Sequence, residues 1–150
     1  MRPDSVTRVC FDASCLIGIV QGEAVFAPLQ STLDGAADGR IEIIASTAML
    51  AELLPNHPRG NPGAAVELRQ LLKTQATLID VSPTVAELAG EFREEFGLTT
   101  WDAVHLATSV VGNADVLFVR DGKFPTETLV RGVWVSGPYD IEGAHLFNMG

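Results

Sequence analysis

The 150 residues carry a formal net charge of -9, with 47% hydrophobic and 19% charged residues. That balance excludes a disordered chain and a domain that grips nucleic acid through a general basic surface, since Lys and Arg contacts to phosphate dominate such affinity. A chain of this length buries roughly 68 to 70% of its unfolded surface, so residues 1–150 are read as a single domain with a tail from 136 to 150 that has no strong period.

The two cysteines, Cys10 and Cys15, match neither a CxxC redox pair nor half of a zinc site, and both are expected as buried thiols. The N-terminal MRPDSVTRV has no charged-then-apolar signal pattern, and no apolar run approaches the roughly 20 residues of a membrane span. A cytoplasmic protein with no membrane contact is the expectation.

In chain order, VTRVCFD predicts a short buried strand and ASCLIGIVQGE a helix ending near Gly22. AVFAPLQSTLDGAADG predicts a second helix, and IEIIAS, residues 41–46, a second buried strand. TAMLAELLP continues as a helix stopped by Pro55. NHPRGNPG, residues 56–63, reads as a loop, and AAVELRQLLKTQ resumes a helical pattern.

TLIDV predicts a third strand, and Ser82 with Pro83 opens a helix that Gly97 closes. WDAVHLATSVVG is a further helix ended at Gly112, ADVLFV a fourth strand, RDGKFP a turn, and LVRGVWV a fifth strand interrupted by Gly132. Apolar strands alternating with helices indicate an α/β fold, with helices on both faces of a mostly parallel sheet of four or five strands.

Four acids fall at the ends of apolar runs: Asp12 after VCF, Glu52 in STAMLAELL, Asp102 in WDAVHLA and Asp121 after VLFV. Two carboxylates about 4 Å apart repel by on the order of 4 kcal/mol at an effective dielectric of 20, so such a cluster calls for a cation. Oxygen-only ligands suit Mg2+ or Mn2+, which leave positions open for phosphate oxygens. Open α/β sheets place ligands beyond the carboxyl ends of their strands. Asp12 and Asp121 are predicted at those ends, with Glu52 and Asp102 on helices that reach the same crevice.

Each acid also has a plainer reading. Asp12 fits a helix N-cap, Asp102 a capping-box-like first turn after Thr99 or Thr100, Asp121 an Asp-Gly turn, and Glu52 a solvated helix face. The joint pattern favours a site. Ser14 and Thr100 are polar neighbours able to hold a metal-bound water or orient a carboxylate, and either also suits a cap. Arg120 and Lys123 flank Asp121 as phosphate contacts or as solvated charges. Asp115, before the fourth strand, falls at the wrong end of the sheet for this crevice.

Among the histidines, only His105 lies one helical turn from Asp102. An Asp and His so spaced are able to share a metal, although the apolar VHLA context better suits a half-buried ring. No Ser/His/Asp or Cys/His arrangement and no phosphate-cradling glycine loop is evident.

These residues resemble the PIN-domain ribonucleases, most of all the compact VapC-like toxins of toxin-antitoxin pairs. FDASCLI resembles the family's opening signature and maps to Asp12 and Ser14, AMLAEL maps to Glu52, and residues 97–124, GLTTWDAVHLATSVVGNADVLFVRDGKF, map to Asp102 and Asp121. The chain is somewhat long for a minimal toxin, and the Pro/Gly stretch after Glu52 departs from the pattern. The resemblance implies a three-layer α/β/α sandwich, a Mg2+- or Mn2+-dependent endoribonuclease, a homodimer, and a cognate antitoxin covering the active site.

On that reading Asp12, Glu52, Asp102 and Asp121 bind the metal and carry catalysis, Ser14 and Thr100 support them, and Arg120 and Lys123 contact the RNA. Two alternatives remain open: a non-catalytic PIN-like module that binds a partner, and another Mg2+-dependent phosphohydrolase with Asp12 as nucleophile. The latter chemistry often uses a second Asp two residues on, which DASCL lacks.

Overall fold

The structure, a computed structural model, describes residues 2–53, 62–120 and 122–142. Its elements run β1 (Arg8–Phe11), α1 (Ala13–Val20), a 3-10 helix (Ala24–Leu29), α2 (Gln30–Ala37), β2 (Glu42–Ser46), α3 (Ala48–Glu52) and α4 (Pro62–Gln75). They continue with β3 (Ala76–Ile79), α5 (Pro83–Phe96), α6 (Thr100–Val111), β4 (Val116–Phe118), β5 (Thr128–Val130) and β6 (Val133–Ser136).

The strands form one six-stranded sheet in the order β3-β2-β1-β4-β6-β5, parallel throughout except for the antiparallel edge strand β5. The chain winds outward from β1 through β2 to β3, then returns to the other side of β1 for β4. Strand order therefore reverses between β1 and β4, which makes that junction the place where such sheets hold ligands. Cys10 pairs with Leu117 and Phe11 with Phe118 across it.

Side chains alternate between two apolar layers, as strand geometry requires. Cys10, Ile44, Leu117 and Val135 face α5 and α6 through Val85, Phe92, Ala103 and Leu106. Val9, Phe11, Ile43, Val116 and Phe118 face the other side, against Leu16, Phe26, Leu29, Met49, Leu68 and Leu72. Burying each large side chain contributes about 1.5 to 3 kcal/mol, so both helical layers are driven onto the sheet. This is the expected three-layer sandwich.

Helix ends follow local chemistry. Ser82 caps α5 by accepting from the Val85 N–H, Pro83 takes the first turn, and Gly97 closes the helix at φ 70°.

Four expectations are corrected. The sheet has six strands because LVRGVWV is a hairpin: Arg131 and Gly132 have φ of 46° and 90°, and positive φ at both central residues reverses the chain between β5 and β6. The helix expected over residues 24–39 divides into the 3-10 helix and α2. Pro28 lies inside the 3-10 helix, and its missing N–H and ring bulk delay a regular α-helix until it is passed. α3 ends at Glu52, before Pro55, and α4 begins at Pro62, inside the stretch read as a loop. Residues 54–61, Asp121 and 143–150 lie outside the described residues, as do the remainder of that loop and most of the tail.

Candidate active site

Asp12 stands where β1 ends and α1 begins. Its Oδ1 accepts from the Cys15 N–H at 2.8 Å, its Oδ2 faces the Arg120 N–H at 3.5 Å, and its own N–H donates to the Phe118 carbonyl at 3.0 Å. The helix-capping role expected of an Asp here is real, and it fixes the carboxylate at the reversal point of the sheet. The group is buried. Desolvation raises its pKa from its ordinary value, against the lowering effects of the Cys15 hydrogen bond, the His105 charge and the Arg120 N–H. Its local hydrogen bonds thus do not fully offset its buried charge.

Beside it opens a cleft of about 280 Å3 whose walls include Ala13, Ser14, Gln21, Glu23, Glu52 and Arg120. Ser14, exposed in the first turn of α1, points polar character at this space. Arg120 is held there by Glu23 at 3.2 Å, with its guanidinium carbon 5.3 Å from the Phe26 ring centroid.

Glu52, the last residue of α3, meets the Nε2 of His105. His105 is 1% exposed on α6, and its Nδ1 has no hydrogen-bond partner among the described residues. Asp102 lies in the first turn of α6, one turn before His105, and its N–H donates to Thr99 Oγ1 at 3.3 Å. The two threonines are thereby separated: Thr99 caps the helix, and Thr100 is exposed at its first position.

The structure brings Ser14, Glu52 and Arg120 onto one cleft; Asp12 does not itself line it but is the N-cap of α1, next in the chain to the cleft residue Ala13. Asp102, Thr100 and Lys123 do not line it; Lys123 is exposed, its Cδ 3.8 Å from where a Gly97 Cβ would stand. Asp121 lies outside the described residues. Asp115, left out of the site on sequence grounds, accepts from the Thr7 and Arg8 N–H groups at 2.9 and 3.0 Å, beside the start of β1.

Among the described residues no three His, Cys, Asp or Glu side chains converge closely enough to hold a metal ion. The chemistry of the donors nevertheless fits a hard divalent cation: they are carboxylate oxygens, and the burial of Asp12 leaves a charge for a cation to balance. Two participants escaped the sequence. Glu23 ends a polar turn with no distinguishing neighbours, and the Glu52–His105 contact joins residues 53 positions apart. The apolar VHLA context suggested a half-buried ring at His105, whereas it is 1% exposed, and gave no sign of its partner.

Comparison with known proteins places these features in a family. The family model described as "PIN domain" matches residues 9–126, a span from β1 past β4. No curated protein matches the chain by sequence. Among solved structures, a toxin-antitoxin complex from Klebsiella pneumoniae is similar at 21% identity and a TM-score of 0.62, covering 88% of this chain and 98% of that one. VapC20 from Mycobacterium tuberculosis, described as a sarcin-ricin loop cleaving toxin, shares 18% identity with a TM-score of 0.60 over 82% of this chain and 97% of its own. DNA-bound VapBC from Salmonella typhimurium has 12% identity and a TM-score of 0.63, covering 87% and 98%.

At these identities the solved structures establish a shared fold, and the family model, spanning most of the chain, goes further. A parallel sheet with its order reversed at β1 and β4, a buried Asp at that reversal and a polar cleft above it belong to a chain that is a member of the PIN-domain family.

Proposed function

We propose that this protein is a Mg2+- or Mn2+-dependent endoribonuclease, the toxin of a toxin-antitoxin pair. The observation that carries the reading is the buried Asp12 carboxylate at the sheet reversal, incompletely offset by its hydrogen bonds and adjoining a cleft that holds Glu52 and the cation Arg120. Asp12, Glu52, Asp102 and Asp121 would hold the divalent ion. Such an ion, when bound, lowers the pKa of a water and polarises a phosphate for in-line attack.

The chain's own residues supply the rest. Arg120, restrained by Glu23, binds a non-bridging phosphate oxygen and sets the backbone of the RNA in the cleft. Ser14 orients a water or carboxylate from the start of α1. Thr100, two residues before Asp102 at the start of α6, would orient that carboxylate, and Lys123, away from this cleft, would contact a longer RNA at its periphery.

The similarity to a toxin-antitoxin complex and to VapBC supports a cognate antitoxin as partner, and the -9 charge suits a basic one. A homodimer is part of the same proposal. So is a cytoplasmic location. Among the described residues no single helix is long and apolar enough to cross a membrane.

Cleavage of mixed structured and single-stranded RNAs with Mg2+ or Mn2+, comparing wild type with Asp102→Asn and an EDTA control, tests the reading. Metal-dependent cutting that the substitution abolishes is the expected result. Cutting that persists unchanged in the variant refutes the assignment of Asp102, and metal binding without cleavage of any RNA favours a partner-binding module.

A further inference from the structure

We infer that His105 is a positioning residue that fixes the Glu52 carboxylate at the cleft, an inference that rests on reading Glu52 as a metal-binding group. Glu52 is poorly placed to fix itself. It is the last residue of a five-residue helix, and the backbone departs from helical geometry at Leu53, where ψ is 70°. Its side chain is 23% exposed, and a glutamate has several freely rotating bonds. A carboxylate on so short a support needs an external hold to act as a ligand.

His105 has the opposite character. It sits inside the twelve-residue α6, is 1% exposed, and its neighbours Ala103, Val104, Leu106 and Ala107 are all buried. Its carbonyl accepts from Ser109 Oγ at 2.9 Å, a further tie within the helix. The ring therefore cannot swing away.

The ring's polar contacts are informative. A buried histidine that serves packing alone would be expected to satisfy both nitrogens. Here Nδ1 has no partner among the described residues, while Nε2 meets Glu52 Oε1. A carboxylate only accepts, so the contact requires a proton on Nε2 whether the ring is neutral or charged. One carboxylate oxygen is thus committed to α6, on the opposite side of the sheet from α1, and the residue still lines the cleft. A rigid helix lends its order to a ligand on a weak one, the arrangement by which outer residues orient metal ligands.

The experiment is a Mn2+ titration followed by electron paramagnetic resonance, on full-length wild type, Glu52→Gln, His105→Gln, His105→Asn and His105→Leu, with thermal unfolding of each. A glutamine amide nitrogen reaches the Nε2 position, an asparagine amide stops near Nδ1, and leucine keeps volume without a donor. Expected is Mn2+ affinity for His105→Gln within about threefold of wild type, and for His105→Asn and His105→Leu about 10- to 100-fold weaker, without a matching order in unfolding temperature. RNA cleavage should follow the same order.

Equal loss in all three His105 variants, or affinities that simply track their unfolding temperatures, would show packing rather than positioning. Wild-type affinity in His105→Asn and His105→Leu, with Glu52→Gln impaired, would overturn the inference alone. Wild-type affinity in Glu52→Gln would instead remove Glu52 from the metal site, and the inference with it.

Discussion

Asp12 performs two tasks that pull in different directions. As an N-cap it satisfies the Cys15 N–H, and as a buried anion it is held uncomfortably, its pKa raised chiefly by desolvation. A carboxyl whose folded pKa lies above its unfolded one binds its proton more tightly when folded. It stabilises the fold below the unfolded value and loses that contribution as pH rises through the folded one. Asp12→Asn keeps the cap, since Asn and Asp cap comparably, and removes the charge. In EDTA at pH 7 the variant should be more stable than wild type to urea, with the gap narrowing at acidic pH. Saturating Mn2+ should reverse the order, because a ligand at about 100 times its Kd adds roughly 2.7 kcal/mol to the wild type alone. A variant no more stable than wild type in EDTA at pH 7 would remove the buried charge from the account. The cap at Asp12 was legible in the sequence because it follows from an Asp placed directly after an apolar run and before a helix. The partner of His105 was not, since periodicity reports which face is buried and says nothing of what that face meets.

Between elements, close approach overrides propensity. Gly18 lies within α1, where alanine is intrinsically better by about 1 kcal/mol. A Cβ at that position would stand 2.2 and 2.3 Å from two ring carbons of Phe26, and Phe26 is itself 1% exposed in the core. Overpacking of this kind costs about 1 to 3 kcal/mol, so Gly18→Ala should lower stability in urea unfolding despite its better helix propensity; a gain would mean that the 3-10 helix yields easily. The same competition explains which elements the sequence disclosed. β1, β2, β4, α5 and α6 follow from apolar runs bounded by strong punctuation such as Ser82, Pro83 and Gly97. The β5–β6 hairpin was hidden because its turn begins at Arg131, a residue with no turn preference, and the strands it joins, Thr128–Val130 and Val133–Ser136, are each too short to read as separate elements. The division at Pro28 was hidden because the apolar pattern continues through it.

Over the whole molecule, the sheet separates what the sequence sets close together. Cys10 belongs to the layer under α5 and α6, Cys15 to the layer under α1, and both are fully buried. Burial pushes the Cys10 thiol up to about 11, and only a thiolate attacks readily. A colorimetric disulfide reagent at pH 7.5 should find no reactive thiol in the native protein and both after unfolding; rapid native labelling would place a cysteine nearer solvent than the fold allows. The order of strands has a further consequence for how the molecule comes into being. β1 precedes the other strands of this sheet in the chain and sits in its interior between β2 and β4, so it waits with one side unpaired until the ribosome has passed Phe118. Asp12 gains its neighbours at Phe118 and Arg120 only then. The growing chain therefore carries the Asp12 carboxylate without the neighbours that fix it until Arg120 has been made.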